Sequence, residues 1–167
     1  VQIDPNVDMT VVNNAPNICT TGLSDLDLSS SVLGATFAWT VTDPGSAGAT
    51  PGAGGPNIHT IQQPLVNLTN APITVTYHIT PTGPAPTVIV GTTQDWDVVV
   101  YPKPVGIFTN NAPQICNGSA TNIELDSDVA GTTFTWTVSD PSGTSGAAAS
   151  VGPSSIGAFI TQTLTNS

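Results

Sequence analysis

The feature that most constrains this chain is that it repeats itself. Asn13-Asn14-Ala15-Pro16-Asn17-Ile18-Cys19 returns 97 positions later as Asn110-Asn111-Ala112-Pro113-Gln114-Ile115-Cys116. At the same spacing and without a gap, Thr36-Phe37-Ala38-Trp39-Thr40-Val41-Thr42-Asp43-Pro44 returns as Thr133-Phe134-Thr135-Trp136-Thr137-Val138-Ser139-Asp140-Pro141. Past the Asp-Pro the copies drift through Gly-, Ala- and Ser-rich stretches. They realign two positions further out, where Ile61, Gln63, Leu65 and Asn67 match Ile160, Gln162, Leu164 and Asn166. A change of loop length accounts for the shift. Self-similarity at a fixed period marks a unit built more than once, so the fold to be explained is that of about 97 residues.

Extending the spacing backwards sets Val1, Ile3 and Pro5 on Val98, Val100 and Pro102. The expected organisation is the last strand of a preceding repeat at residues 1–5, a complete repeat at 6–102 and an incomplete following repeat at 103–167. The last piece stops before any counterpart of Ile73 to Val100. Its apolar face is expected to need partner strands from further along the chain or from a neighbouring molecule.

The 16 Gly and 15 Pro leave almost no window of twelve residues free of a helix-hostile residue, which excludes a helical bundle. Charged side chains make up only 7% of the chain, and polarity comes instead from neutral groups, 26 Thr foremost. Lys103 is the single Lys and there is no Arg, for a formal net charge of -10. A chain without cations to neutralise phosphates repels polyanions, so nucleic acid and anionic lipid surfaces are not expected partners. No apolar run approaches the roughly 18 residues of a membrane span. The first twenty residues lack a basic start and an apolar core, so an export address, if there is one, is expected outside this segment.

Within the unit, alternation has period two. Ile73, Val75, Tyr77 and Ile79 share one face and Thr74, Thr76, His78 and Thr80 the other, as a half-buried antiparallel strand requires. Phe37, Trp39 and Val41 repeat the pattern, as do Trp96, Val98 and Val100. Leu26 and Leu28, with their counterparts Ile123 and Leu125, supply a shorter strand, and Val11, Ile18, Ile61, Leu65 and Val88 to Val90 seed others. About seven strands per unit, separated by Pro, Gly and Asn signals, point to an all-β fold of tandem immunoglobulin-like antiparallel β-sandwiches. Phe37, Trp39, Phe134, Trp136 and Trp96 are the expected aromatic core.

Ile-Cys-x-Gly at Ile115, then Thr-Asn-Ile-x-Leu at Thr121, then Val-Ala-Gly-Thr-Thr-Phe-x-Trp-Thr-Val at Val129 to Val138 resemble the PKD-like repeats of giant secreted Bacteroidota surface proteins. The later Ile160-x-Gln162-x-Leu164-x-Asn166 and Thr74-Val75-Thr76-Tyr77-x-Ile79-Thr80-Pro81-Thr82 fit the same pattern. The resemblance spans nearly the whole chain. It implies export by the type IX system, an extracellular, cell-surface place, and membership of long repetitive adhesins, including those used in gliding motility. In many such repeats the early Cys pairs with a second one after a Thr-Pro-Thr motif. Here Thr80-Pro81-Thr82-Gly83-Pro84-Ala85 runs on without one. Cys19 and Cys116, at equivalent places in consecutive units, should lie too far apart for the 4 to 7 Å or so a disulfide allows. Both are expected to be small buried hydrophobes, the alternative for Cys116 being a disulfide partner further along the chain.

Catalytic constellations are sparse. A nucleophile needs a base within reach, and the only histidines are His59 and His78, neither of which recurs in the second copy. No Cys-x-x-Cys or His-x-x-x-His spacing suits zinc. Calcium is the one metal with oxygen donors on offer, at Asp25/Asp27, Asp95/Asp97 and above all Glu124, Asp126 and Asp128, where alternation along a strand sets i and i+2 on one face. Asp126 and Asp128 correspond to Ser29 and Ser31, which argues against a repeated ion and for a solvated acidic edge. Asp43-Pro44 and Asp140-Pro141 read as turn chemistry. Asn67-Leu68-Thr69 and Asn117-Gly118-Ser119 match the glycosylation sequon, a frequent chance match. Tyr101-Pro102-Lys103-Pro104 reads as a stiff junction between units.

The expected function is a non-catalytic structural stalk or filament segment of a large secreted adhesin. Expected partners are neighbouring repeats or adjacent subunits, and surface glycans, and no cofactor is expected beyond calcium. A calcium- or glycan-binding module, or an accessory region of a secreted enzyme, is the competing reading.

Overall fold

A computed structural model describes residues 6–45, 47–86, 88–140 and 143–166. The expected strand at residues 1–5 lies outside the described residues. The chain divides into two compact units, Val1–Lys103 and Pro104–Ser167. It is all-β, so among the described residues no helix is long and apolar enough to cross a membrane.

In the first unit the strands are β1 (Thr10–Asn13), β2 (Asn17–Cys19), β3 (Leu26–Ser29), β4 (Thr36–Thr42), β5 (Gly52–Gly54), β6 (Ile58–Ile61), β7 (Ile73–Thr82) and β8 (Gln94–Tyr101). They form a three-stranded sheet, β1-β3-β6, and a five-stranded sheet, β2-β8-β7-β4-β5. The inward positions of both sheets meet in one core: Val11, Leu26, Leu28 and Ile61 from the smaller sheet, and Phe37, Trp39, Val75, Tyr77, Ile79, Val98 and Val100 from the larger. Alternation thus dictates the sandwich, because each of these strands turns its apolar row inward, while the outward row is largely Thr on β4 and β7 and Asp and Ser on β3.

Among the described residues of the unit, every pairing is antiparallel except one. β2 runs parallel to β8, with Ile18 opposite Val100, so the short strand after Pro16 closes the edge of the large sheet. Two expected strands are not formed. Leu65 is fully buried in a loop. Val88 and Val90 are exposed, Val90 making a single bridge to Thr82. Here Gly83, Pro84, Pro86 and Gly91 interrupt the ladder, and Pro donates no main-chain bond.

The second unit has β9 (Gly106–Asn110), β10 (Ile123–Ser127), β11 (Thr133–Phe134), β12 (Thr144–Ser145), β13 (Ser154–Ser155), β14 (Phe159–Ile160) and β15 (Thr165–Asn166). The sheet β14-β10-β9 reproduces β6-β3-β1 of the first unit, and β11 pairs with β13 much as β4 pairs with β5. Gly34 and Gly131, equivalent in the two copies, both take positive φ, at 85° and 79°. A side chain there would cost about 1–2 kcal/mol, so the same turn needs glycine twice.

Candidate functional site

The most ordered polar constellation lies on the outer face of the large sheet. Strand register sets His78 opposite Thr40 on one side and Asp95 on the other. Thr42 Oγ1 lies 2.8 Å from His78 Nε2, and His78 Nδ1 lies 2.7 Å from Asp95 Oδ1. This hydroxyl–imidazole–carboxylate line has the order of a nucleophilic triad. Its surroundings differ from one. The line lies on the open outer face of the sheet, with His78 and Asp95 partly exposed, and the strand N–H groups lie in the plane of the ladder, not above that face where an oxyanion would need them. The neighbouring depression, about 180 Å³, is lined by Ala38, Trp39, Thr40, Thr80 and Thr93 along with His78. What the line does is bridge three strands. Thr76 Oγ1 donating to Asp97 Oδ1 at 2.7 Å and Thr80 beside Thr93 at 2.7 Å continue the same cross-strand ladder. His78 and Asp95 are 31% and 64% exposed, so their bond contributes about 0–1 kcal/mol. His78 does lie on an outer strand face, but Thr42 and Asp95 are 36 and 17 residues from it, and only the register joins them.

The acidic residues serve as clasps. Asp8 Oδ1 accepts from Ser30 Oγ and Ser31 N, which holds its carboxyl below the usual range. Thr60 and then Asn14 do the same for Asp27. In the second unit Asp128 Oδ1 accepts from Val105 N at 2.8 Å. Asp128 occupies the place of Ser31, and Val105 that of Asp8. The two copies therefore make one clasp with the carboxylate moved to the opposite side of the contact, which explains why the acidic position is not repeated. Asp126 Oδ1 accepts from the adjacent Ser127 N, and Glu124 is half-buried on β10. β10 ends at Ser127, so the alternation that would align Asp128 with Glu124 and Asp126 stops first. Among the described residues no three His, Cys, Asp or Glu side chains are grouped to hold a metal ion.

The aromatic positions are tied to a polar clasp that the repeat builds twice. Trp39 Nε1 donates to Thr50 O at 3.0 Å, and the Gln63 amide bonds both Thr50 N and Thr50 O. Trp136 Nε1 donates to Ala148 O at 3.2 Å, and Gln162 bonds Ala148 in the same two ways. Each Gln is in turn anchored through its own N–H, to Ser24 Oγ or the equivalent Thr121 Oγ1. The recurrence of Gln63 and Gln162 in the repeat is the signal that marks this role, although neither is charged or nucleophilic. Buried Tyr77 completes the first clasp by donating from its hydroxyl to Gln63 Oε1. Burial raises the Tyr77 pKa, against a smaller opposing effect of the Ser24 bond.

Phe37 and Trp39 are buried, at 1% and 8% exposure, whereas Phe134 and Trp136 are half-buried. His59 stacks on Trp39 with centroids 5.3 Å apart, a close approach that only Gly52 and Gly54 on β5 permit. Trp96 is half-buried against the core, its Nε1 lacking a hydrogen-bond partner among the described residues.

One expectation needs correction. Cys19 and Cys116 are free and exposed, not buried: Cys19 ends the edge strand β2, and Cys116 lies in a loop. The sequon at Asn67, read as a chance match, holds a side chain engaged inside the unit. Asn67 is 5% exposed, and its Nδ2 donates to Ala71 O and Val100 O at 2.8 Å each.

Comparison with known families gives a PKD-like domain over residues 16–104 and again over 113–167. No curated protein and no solved structure matches the chain. The two matched segments contain the Trp sequence and Gln clasp of each copy, and the fold is the non-catalytic immunoglobulin-like sandwich of that family. The chain belongs to the PKD-like domain family, which it carries as a tandem pair.

Proposed function

We propose that this chain is a spacer segment in the stalk or filament of a large, type IX-secreted cell-surface protein, where successive sandwiches hold an adhesive or motile function away from the cell. PKD-like domains are typically extracellular structural repeats. The observation that carries the reading is the duplicated Trp–Gln clasp: both copies spend the same polar residues on internal bracing. Outer faces rich in Thr hydrate without ionic groups, and the exposed Pro104 follows the buried Pro102 at a junction suited to a stiff spacer.

The reading is tested on cells of the source organism. Antibody raised against the purified chain should label intact cells, and an in-frame deletion of the segment should shorten the surface structure while its terminal activity persists. Absence of labelling on intact cells sinks it. Calcium titration followed by melting should leave the transition unmoved; a shift of several degrees would replace the spacer by an ion-binding module.

A further inference from the structure

We infer that the first unit is built to bear tension: pulled between its entry and its exit, it resists as a clamp in which β2 and β8 are loaded in shear, with an Asn67 staple where the chain leaves. The inference concerns the mechanics of one unit and not the stalk, so either can fail alone.

Where the chain enters and leaves decides how a pull acts. Val7 packs against Gly83 and Gly91, ahead of the start of β8, whereas Tyr101 ends β8 and leads to the junction. Entry and exit therefore lie at opposite ends of the strands. β2 runs parallel to β8, with Asn17, Ile18 and Cys19 opposite Val99, Val100 and Tyr101. A pull on the entering chain drags β2 toward the start of β8, and a pull at the exit drags β8 the other way. The two strands must slide along each other, so the bonds between them carry the load together instead of breaking one at a time. Val99 N donating to Pro16 O at 2.9 Å and Thr20 N donating to Tyr101 O at 2.8 Å bound this ladder at its two ends. On its other flank β8 pairs with β7 from Val100 opposite Ile73 to Gln94 opposite Ile79, and that ladder is sheared as well. β1 meets the same loading against β3, from Thr10 opposite Ser29 to Asn13 opposite Leu26.

Side chains fasten both ends. At the entry, Asp8 Oδ1 accepts from Ser30 Oγ and Ser31 N, tying the incoming chain to the turn after β3. At the exit, Asn67 Nδ2 donates to Val100 O at 2.8 Å while Asn67 N donates to Thr20 Oγ1 at 2.9 Å. The end of β8, the residue after β2 and the loop before β7 are thereby joined at one side chain. Asn67 is 5% exposed, so water has little access to compete for these bonds. The second copy keeps the contacts while changing their residues: Val105 N donates to Asp128 Oδ1 at the entry, and Asn166 N donates to Asn117 Oδ1 in place of the threonine hydroxyl. Resistance of this kind is a rate of unfolding under load, set by the direction of pull as well as by equilibrium stability.

The test uses the full chain with Cys19→Ser and Cys116→Ser, held by its N-terminus and by one new cysteine in single-molecule force spectroscopy. Lys103→Cys puts the second tether at the exit. Val88→Cys, at a position 63% exposed in the loop between β7 and β8, puts it at the entry end, where the pull peels strands apart. The unfolding force of the first unit is expected to be several-fold higher through residue 103 than through residue 88, while the two variants melt alike. Equal forces in the two directions overturn the clamp, and this comparison needs no change to β2, β8 or the staple. Asn67→Ala should lower the force through 103 by the larger proportion; equal proportional losses in both directions overturn the staple. Ile18→Pro, which interrupts the β2 ladder, should bring the force through 103 down toward that through 88, and an unchanged force overturns the part assigned to β2.

Discussion

The two units share the Trp sequence, the Gln clasp, the glycine turn and the order of the small sheet, yet only the first buries its core. Of the thirteen residues in that core, five come from β7 and β8. Where those strands are present, Phe37 and Ile61 fall to 1% exposure; where they are not, a local structure of the same design leaves its aromatics half in water. The polar clasps thus form with or without the second sheet complete, although each ties Gln63 or Gln162 to a residue about 40 positions away, while hydrophobic burial is a property of the whole sandwich. A few long-range hydrogen bonds suffice for the clasp, and most of the stability comes from the packing of apolar side chains.

The contrast should break most sharply at the paired phenylalanines. Phe37→Ala is expected to cost about 3–5 kcal/mol, and Phe134→Ala less than half as much, since water already reaches that ring. Unit-resolved hydrogen exchange in denaturant measures both, and equal losses would erase the distinction. Gln63→Ala and Gln162→Ala sharpen it at the next level. The first takes away the Gln63 acceptor of the Tyr77 hydroxyl, leaving it the longer Ser24 contact at 3.3 Å, together with both bonds to Thr50, and should cost about 1–3 kcal/mol; the second, bonded at a more exposed site, should cost less. The smallest effect is in pH. The Tyr77 pKa is raised in the folded state, so the folded form holds its proton more tightly than the unfolded one. Its contribution is complete below the usual tyrosine value of about 10 and is lost as pH rises through the raised value. Tyr77→Phe should flatten the alkaline limb of the first unit's stability curve, while the limb for the second unit stays as it was.

Much of this was legible in the sequence for a simple reason: period-two alternation in β4, β7 and β8 and the return of the Trp sequence are one-dimensional signals of a packed face. The inward placement of Phe37, Trp39, Val75, Tyr77 and Val98 follows directly from them. The line from Thr42 through His78 to Asp95 was not legible, since it depends on which residue of β4 and which of β8 flank β7. Nor was the exchange of the carboxylate between Asp8 and Asp128. Composition sees an acidic residue gained or lost, whereas the structure sees one hydrogen bond with its acceptor on the other side of the contact. Cys19 and Cys116 misled because a tendency of free cysteine to be buried says nothing about a residue at a sheet edge, as Cys19 is, or in an exposed loop, as Cys116 is.

The junction has a chemical corollary. Lys103, exposed between Pro102 and Pro104, is the only residue in the chain that a trypsin-like protease recognises, and the proline after it blocks cleavage there. Resistance to that class of enzyme is written into the covalent chain and survives unfolding. A surface protein assembled from such units would keep its length among secreted trypsin-like proteases even where pulling or heat had opened a sandwich.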